Sequence, residues 1–228
     1  MQTVVNTWDM PLAPVAGETG AYPIRRIFCV GRNYAAHARE MGRDPDREPP
    51  FFFTKFADAL TGNDARIAYP PGTSNYHYEV ELVVAIGKEG FRIPAAEARD
   101  YIYGYAVGLD MTRRDLQLAA RELGRPWDTG KNFPESAPLA AIHPASAVGH
   151  PRAGAIWLDV DGERRQSADL ADMIWDTDEV IEHLSRLYTI RPGDLIMTGT
   201  PAGVGPVKQG QRMLAHVDGL EELRVEVI

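Results

Sequence analysis

The chain has 228 residues, 44% of them hydrophobic, which is enough apolar material for the core of one large domain or two small ones. Its 32 acidic residues outnumber its 24 Lys and Arg residues, which gives a net charge of −8. This charge argues against a surface that binds nucleic acids or acidic membranes in general. A local cluster of cations can still bind a small anion. The one cysteine, Cys29, lies in an apolar run and excludes a disulfide framework or a cysteine zinc site, so cysteine usage is typical of the reducing cytosol.

The chain begins with an arm, residues 1–22, in which Pro and Gly interrupt scattered apolar residues, and we expect it to pack on the main body. The arm has no basic start followed by an apolar stretch, as a signal peptide would, and no apolar run in the chain is long enough to span a bilayer. We therefore expect a cytoplasmic protein without a membrane partner. No linker, repeat or low-complexity tract divides residues 23–228, which predicts a single catalytic domain.

Two strands and a short helix are predicted next. Strands are expected at residues 24–30 and 51–56, and Asn33 can cap a short helix between them. This helix carries His37 and Glu40 three residues apart, a spacing that brings their side chains together. A carboxylate beside an imidazole orients the ring and stabilises its protonated form, as a general base requires, although an ordinary surface pair has the same spacing.

A strand-like run over residues 76–86 carries two glutamates one residue apart, Glu79 and Glu81. Side chains alternate along a strand at about 3.3 Å per residue, so both carboxylates leave the same face about 7 Å apart. The opposite face presents an apolar stripe: Tyr78, Val80, Leu82, Val84 and Ile86. Two like charges on a buried face repel each other and lose solvation, and a divalent cation between them would relieve both costs. Alone, the pair is also compatible with a solvated strand face.

Asp110 comes at the end of the apolar strand predicted over residues 102–109, before a helix that Thr112 caps and Gly124 ends. Apolar residues at helical spacing mark the face that we expect this helix to bury: Leu116, Ala119, Ala120 and Leu123. Alone, Asp110 is typical of an acid that the helix dipole favours.

Three polar residues follow Asp110 in the chain. Arg114 and Gln117 are three residues apart on the predicted helix and so share a face. Lys131 falls in a loop that is too rich in Gly and Pro to predict a buried element. One at a time, the three residues are typical of a solvated helix charge, a surface amide and a solvated lysine.

The C-terminal half is mainly β by its pattern. A hairpin turns at Asp161–Gly162, the dipeptide that a type I′ turn prefers, and a helix is predicted over residues 177–187. A strand over 195–198 leads into the glycine-rich turn 199–205, which lacks the Lys of a phosphate-binding P-loop but can offer the hydroxyl of Thr200 to a carboxylate. Many short strands without regular βαβ alternation predict an α+β fold that is predominantly β, with few short helices.

Together, and in this order, these motifs resemble the fumarylacetoacetate hydrolase superfamily from about Tyr22 to the C-terminus. The resemblance implies a mixed β-roll or β-sandwich and a homodimer. It also implies one Mg²⁺ or Mn²⁺ per subunit, held by Glu79, Glu81 and Asp110. An all-oxygen site of this kind suits these hard cations better than zinc.

The run from Cys29 to Lys55 is most similar to the acylpyruvase branch of the superfamily, which includes bacterial fumarylpyruvate hydrolases. The resemblance implies that His37, oriented by Glu40, acts as a general base and that Lys131 stabilises the enolate that leaves. The substrate contacts that it implies are Arg32, Tyr34, Arg114, Gln117 and Thr200.

The implied reaction is metal-dependent hydrolysis of the carbon–carbon bond of an acylpyruvate, a small anionic 2,4-diketo acid. Fumarylpyruvate, giving fumarate and pyruvate in aromatic (gentisate-type) catabolism, is the favoured substrate.

Decarboxylation or isomerisation of a 2-oxo diacid such as oxaloacetate could use the same metal site. Glycoside hydrolysis fits less well, because its two acids flank the sugar from opposite sides whereas Glu79 and Glu81 leave one strand face. A non-catalytic small-molecule binding protein is the remote alternative. The acyl group depends on loops, for which residues 42–50 and 112–127 are the candidates.

Overall fold

The computed structural model of this chain describes residues 3–40 and 48–228. The strands are β1 (Leu12–Pro14), β2 (Ala21–Pro23), β3 (Arg26–Gly31), β4 (Phe51–Lys55), β5 (Leu60–Thr61), β6 (Ala65–Ile67), β7 (Tyr76–Tyr78), β8 (Val80–Ile86), β9 (Ile102–Leu109), β10 (Thr112–Arg113), β11 (Ala137–Pro138), β12 (His143–Pro144), β13 (Ala155–Val160), β14 (Glu163–Asp169), β15 (Asp194–Met197), β16 (Gly205–Pro206), β17 (Arg212–Val217) and β18 (Leu223–Val227). The helices are α1 (Ala35–Glu40), α2 (Arg114–Glu122), α3 (Asp128–Lys131), α4 (Ala145–Val148) and α5 (Thr177–Leu187). Three 3₁₀ segments complete them: Ala57–Ala59, Ala95–Tyr101 and Leu170–Asp172.

The larger sheet has six strands in the order β12-β9-β8-β15-β3-β4, and all its neighbours are antiparallel except the parallel pair β15 and β3. Every residue of β8 is buried, because elements cover both faces of this central strand. Its side chains alternate between two hydrophobic clusters, with Leu82 and Val84 in the larger one and Val83 and Ala85 in the smaller one. Glu81 shares the face of Val83 and Ala85.

The second sheet has five strands in the order β14-β13-β17-β18-β6. Alternate residues of β13 and β17, such as Leu158 and Ala215, are buried in the same hydrophobic cluster as Leu82 of β8. The two sheets therefore face each other across one core, as in a sandwich. The expected fold class, an α+β fold that is predominantly β with few short helices, is confirmed.

The N-terminal residues contribute to the smaller cluster. Strands β1 and β2 form an antiparallel hairpin in which Ala13 and Tyr22 are buried. The Tyr22 hydroxyl donates to the carbonyl of Ile86 at 2.6 Å and accepts the N–H of Gly193 at 2.9 Å, which attaches the hairpin to the larger sheet. Residues 3–10 are exposed. The division into an arm and a domain at residue 22 stays a prediction.

Two predicted helix caps are wrong. Helix α2 begins after Arg113, and Thr112 instead lies in β10, where its hydroxyl donates to the carbonyl of Asp110. Asn33 uses its side chain to bind the backbone of Trp175 and Thr198 and so joins the end of β15 to the start of α5. Both side chains were expected to bind nearby amides, but tertiary partners compete for the same polar atoms.

Other local predictions are confirmed. Gly124 follows α2 with φ +62°, the left-handed conformation that ends a helix, and Asp161–Gly162 turns the hairpin with φ 50° and 82°. Helix α5 has the predicted bounds, and Asp176 caps it in a capping box with Glu179. Cys29 is a buried free thiol. Among the described residues, none of the helices is both long and apolar enough to cross a membrane.

Candidate active site

Three buried carboxylates meet at the start of β8. Glu79 lies in the break between β7 and β8, Glu81 is the second residue of β8, and Asp110 follows β9. Pairing of Val80 with Leu109 brings the glutamates beside Asp110, whose N–H donates to the Glu79 carbonyl at 2.9 Å. One oxygen of each carboxylate lies within 4.8 Å of the others, and the three residues are 4%, 1% and 0% exposed. The prediction of one continuous strand here is wrong at one residue, because the backbone hydrogen bonding between strands is interrupted at Glu79.

Lys131 binds two of the three acids. Its ammonium donates to Glu79 Oε2 at 2.7 Å, to Asp110 Oδ2 at 2.6 Å and to the hydroxyl of Thr112 at 2.8 Å. The side chain is 2% exposed and stands at the end of α3, so the expectation of a solvated loop lysine is wrong. Burial lowers the pKa of Lys131, but the charges of Asp110 and Glu79 outweigh it and raise the pKa above its ordinary value. The ammonium therefore stays charged.

A second buried lysine lies on the other side of Asp110. Lys55, at the end of β4, has its ammonium 2.9 Å from Asp110 Oδ1. It also donates to the carbonyl of Met111 at 3.1 Å and to the carbonyl of Lys131. Lys55 thus joins β4, the segment after β9 and helix α3 at one point.

Glu79 and Glu81 differ in how their charges are compensated. Burial raises the pKa of Glu79, but the cations of Lys131 and Arg114 outweigh it and hold that pKa below its ordinary value. For Glu81, burial and then the charges of Asp110 and Glu79 raise the pKa well above its ordinary value. A divalent cation would supply the positive charge that Glu81 lacks. The donor set of three buried carboxylates fits Mg²⁺ or Mn²⁺, which prefer oxygen ligands.

Helix α2 turns its polar side toward the carboxylates. Arg114, Gln117 and Arg121 recur at helical spacing, and all three line the cavity beside the acids. The buried residues of the helix are Arg114, Gln117 and Ala120, whereas Leu123 is 62% exposed. The prediction that the apolar face of this helix is buried is therefore wrong in large part.

The guanidinium of Arg114 is fixed from three sides. It donates to Glu79 and to Gln117 Oε1, and its Nε donates to Nδ1 of His77 at 3.4 Å. The other ring nitrogen of His77 lies 2.8 Å from Asn75 Oδ1. Burial and the Arg114 charge lower the pKa of His77 to about 4, so the ring is neutral and Nδ1 can accept the Arg114 hydrogen.

The histidine and glutamate of α1 form a hydrogen-bonded pair. His37 Nδ1 lies 3.1 Å from Glu40 Oε2, and the His37 side chain is 7% exposed. Both oxygens of Glu40 also accept the N–H of Gly203 at 3.2 Å. Because a carboxylate only accepts hydrogen bonds, the pair places a hydrogen on Nδ1 of His37, and in the neutral form of the ring Nε2 is then the acceptor.

The turn 199–205 contacts both the acid cluster and the His37–Glu40 pair. The N–H of Gly199 donates to Glu81 Oε2 at 2.7 Å, Thr200 lines the cavity, and Gly203 binds Glu40. Gly203 has φ +94°, and a Cβ there would lie 2.1 Å from the Arg165 carbonyl oxygen, so only glycine fits. The glycines allow the turn to follow the site closely.

All the predicted site residues except Glu40 and Tyr34 line one cavity. Glu40 lies behind His37. Tyr34 is 1% exposed within the larger hydrophobic cluster, and among the described residues its hydroxyl has no hydrogen-bond partner, so the structure does not bring it to the cavity. Arg32 reaches the cavity from a left-handed backbone (φ 59°), with its guanidinium 5.3 Å from the ring centre of Phe51 and 5.9 Å from that of Trp127.

Comparison with known proteins identifies the family of the chain. The family described as "Fumarylacetoacetate (FAA) hydrolase C-terminal" matches residues 26–228. The chain belongs to this family. It is 51% identical to a fumarylpyruvate hydrolase of a Ralstonia species over 189 residues, which cover 82% of this chain and 98% of that relative. It is 43% identical to a mitochondrial oxaloacetate tautomerase of Arabidopsis thaliana over 202 residues, covering 89% and 90% of the two chains.

A solved structure from the same family is very similar in fold. The fumarylpyruvate hydrolase of Pseudomonas aeruginosa, crystallised with Mn²⁺ and pyruvate, has a TM-score of 0.98 and 54% identity, covering 100% of this chain and 99% of that one. The expected family and fold are therefore confirmed. The buried acids of this family member, Glu79, Glu81 and Asp110, can hold a divalent cation of the same kind.

The sequence interpretation missed several residues of the site. His77 had a signal, because it alternates with Glu79 and Glu81 on the same strand face. Arg121 also had one, seven residues after Arg114 on the same helix face. Two others, Lys55 and Trp127, come from segments whose local pattern indicates no site.

Proposed function

We propose that this chain hydrolyses the carbon–carbon bond between the acyl group and the pyruvate unit of an acylpyruvate. Fumarylpyruvate is the favoured substrate, and water converts it to fumarate and pyruvate in the catabolism of aromatic (gentisate-type) compounds. The relatives named fumarylpyruvate hydrolase, at 51% and 54% identity, support this choice.

The observation that carries the proposal is the pairing of His37 with Glu40 beside the three acids. His37 lines the same cavity as Glu79, Glu81 and Asp110 and keeps one ring nitrogen as an acceptor. A ring held in this tautomer by a carboxylate can take a proton from water. Hydrolysis needs such a base, whereas a protein that only binds a ligand does not.

The reaction needs one proton acceptor and positive charge at the leaving group. His37 takes a proton from water, whose oxygen attacks the acyl carbonyl carbon and forms the new carboxylic acid. The bond to the pyruvate unit then breaks, and its electron pair leaves as the pyruvate enolate, which a proton converts to pyruvate. A divalent cation held by the three acids would supply positive charge to the pyruvate-side oxygens. The ammonium of Lys131, between Glu79 and Asp110, favours the enolate in the same way.

The remaining polar residues bind the two ends of the substrate. Thr200 offers its hydroxyl to the carboxylate of the pyruvate half. Arg114 and Gln117 orient the acyl carbonyl, since their face of α2 lines the cavity.

A dicarboxylate acyl group such as fumaryl adds a second negative charge. We assign the second carboxylate to Arg121 and Arg32, whose side chains line the same cavity. Arg121 lies two helical turns from Arg114, about 10 Å along the axis, so the two residues can contact different parts of one substrate molecule. We therefore expect the substrates to be acylpyruvates whose acyl group ends in a carboxylate.

Interconversion of the keto and enol forms of oxaloacetate is the second candidate. The relative named oxaloacetate tautomerase, at 43% identity, favours it. That reaction moves a proton at carbon without an attacking water, so the residues near the acids would suffice. The His37–Glu40 pair favours hydrolysis because it supplies the base that water needs.

A substrate panel tests the proposal. Purified protein is incubated with fumarylpyruvate, maleylpyruvate, acetylpyruvate and oxaloacetate, with Mn²⁺, with Mg²⁺ and with a chelator. We expect release of fumarate and pyruvate from fumarylpyruvate, fastest among the four, and only with metal. Turnover of oxaloacetate without cleavage of any acylpyruvate would favour the second candidate. Tight binding without turnover of any substrate would favour a binding protein.

We also propose that the protein acts as a homodimer in the cytoplasm. The proposal rests on the family resemblance and on cysteine usage, and light scattering of the purified protein tests the assembly.

A further inference from the structure

Gln166 is a buried amide that connects the two sheets beside the site. It lies on β14 and is 0% exposed, and the other residues of this strand are exposed or half-buried. The pairing of β14 with β13 shifts register at this point, where Leu158 faces Gln166 and Asp159 faces Arg164, so Arg165 is an extra residue. Such a bulge redirects the side chain that follows it, which explains how a polar residue of this strand enters the core.

The carboxamide of Gln166 has defined partners on both of its polar atoms. Oε1 accepts the N–H of Val80 at 3.0 Å, and Nε2 donates to Thr200 Oγ1 at 2.8 Å and to the carbonyl of Pro201 at 2.8 Å. Val80 stands between Glu79 and Glu81. One side chain therefore contacts both the two-glutamate segment and the residue proposed to bind the pyruvate carboxylate.

The bond to Thr200 fixes the direction of its hydroxyl hydrogen. A threonine hydroxyl can donate one hydrogen bond and accept two. Because Gln166 already donates to Oγ1, the hydroxyl of Thr200 must donate elsewhere, and within the described chain it donates to no protein atom. Thr200 is 3% exposed and lines the cavity, so its hydroxyl hydrogen is available to an acceptor in the cavity.

We infer that Gln166 is a positioning residue that makes Thr200 a hydrogen-bond donor toward the carboxylate of the pyruvate half. The identity of this ligand rests on the proposed function. The second contact, to the N–H of Val80, holds the break between β7 and β8 where Glu79 and Glu81 are presented. No sequence motif marks Gln166, which is 34 residues from Thr200 and 86 from Val80.

A double-mutant cycle with pyruvate as the probe tests this inference. Gln166→Met, Thr200→Val and the double variant are loaded with Mn²⁺, and the dissociation constant of pyruvate is measured by calorimetry. Each single change is expected to weaken pyruvate binding about tenfold, as for loss of one hydrogen bond to a charged group. At saturating Mn²⁺, which compensates for the lost contact to Val80, the double variant is expected to show no more than about the same tenfold loss, because both changes remove the same hydrogen bond to pyruvate. Thr200→Ser, which keeps the hydroxyl, is expected to bind pyruvate within about threefold of the unchanged protein.

Gln211→Met is the matched control. Gln211 also accepts a backbone N–H, that of Lys208 at 2.9 Å, and donates to Asp161 at 2.8 Å, but in a turn outside the cavity. Its loss should lower the melting temperature without changing pyruvate binding. If Gln166→Met does not fold, Gln166→Glu takes its place in the cycle, because it keeps the acceptor for Val80 and removes the donor toward Thr200.

Three results would overturn the inference: unchanged pyruvate binding in the folded Gln166 variant, losses that multiply to about a hundredfold in the double variant, or no pyruvate binding by the unchanged protein. The proposed function fails separately. Pyruvate binding with a coupled cycle but no cleavage of any acylpyruvate would keep the inference and reject the hydrolase. Cleavage of fumarylpyruvate with an additive cycle would do the reverse.

Discussion

The two sides of the cavity are held in different ways. The acids Glu79, Glu81 and Asp110 lie at the ends of central strands, are at most 4% exposed and are surrounded by buried cations. His37 and Glu40 lie on the six-residue helix α1, the Glu40 side chain is 35% exposed, and the N–H of Gly203 binds it at 3.2 Å.

Because of this difference, we expect mutations on the two sides to affect stability and turnover differently. A change among the acids and their cations alters charges that the core has already desolvated, so it affects folding, metal binding and turnover together. A change in the pair on α1 removes a hydrogen bond at the edge of the fold, so it affects turnover almost alone.

Glu81→Gln is expected to have the largest effect. It keeps an acceptor for Gly199 but removes the acid whose charge is least compensated, so Mn²⁺ binding is lost and turnover falls at least about a thousandfold. The metal-free protein should melt at the same temperature or higher, because a buried uncompensated charge is removed. Calorimetry with Mn²⁺, melting curves and steady-state rates measure the three quantities. The exposed Glu163→Gln is the control, and full turnover of Glu81→Gln in the presence of a chelator would reject the metal site.

His37→Ala is expected to lower turnover by about a hundred- to a thousandfold, as for loss of a general base. Its Mn²⁺ affinity should stay within error of the unchanged protein, because α1 contributes no ligand to the acid cluster. Its stability should fall by no more than about 1 kcal/mol, the contribution of one hydrogen bond. His216→Ala, on β17 and outside the cavity, is the matched control. An unchanged rate for His37→Ala would remove the base from the mechanism.

Lys55→Met is expected to act mainly on stability. It leaves Asp110 with Lys131 alone and removes the Lys55 hydrogen bonds to the carbonyls of Met111 and Lys131, so the free energy of unfolding should fall by about 3 kcal/mol. The control is Arg224→Met, which removes an exposed ion pair to Glu222 and should cost less than about 1 kcal/mol. Urea denaturation measures both, and equal effects would contradict the contrast between buried and exposed charges.

Arg121→Leu is expected to have the smallest effect and to act on selectivity. The ratio of kcat/KM for fumarylpyruvate to that for acetylpyruvate should fall about tenfold, because only the first substrate has a second carboxylate. Arg125→Leu, an exposed change on the same segment, should leave the ratio unchanged. An equal loss for both substrates would remove Arg121 from substrate recognition.

Local patterns predicted the elements well and the site in part. Alternation along β8 and the strand before Asp110 placed the acids correctly, because backbone geometry alone fixes their direction. The face of α2 was predicted wrongly because amphipathic patterns assume that apolar residues face inward. Here Arg114 donates to Glu79 and to Gln117, and these two contacts make burial of both polar side chains of α2 favourable.

The residues that could not be predicted are those whose partners are distant in sequence. Asn33 was assigned to a local cap but binds Trp175 and Thr198, and Lys55 meets Asp110 only after the sheet forms. Gln166 enters the core because of a bulge in β14, and the residue types of that strand do not predict the bulge. In each case tertiary contacts decide which polar atoms pair, and no local period contains that information.

The most direct test of the central claim is the fate of water oxygen. Fumarylpyruvate is cleaved by the Mn²⁺-loaded protein in water enriched in ¹⁸O, and the products are analysed by mass spectrometry. If water attacks the acyl carbonyl, one ¹⁸O should enter a carboxylate of fumarate and none the carboxylate of pyruvate, and His37→Ala should slow this incorporation together with cleavage. Fumarate without the label, or conversion of the substrate without cleavage, would contradict the account.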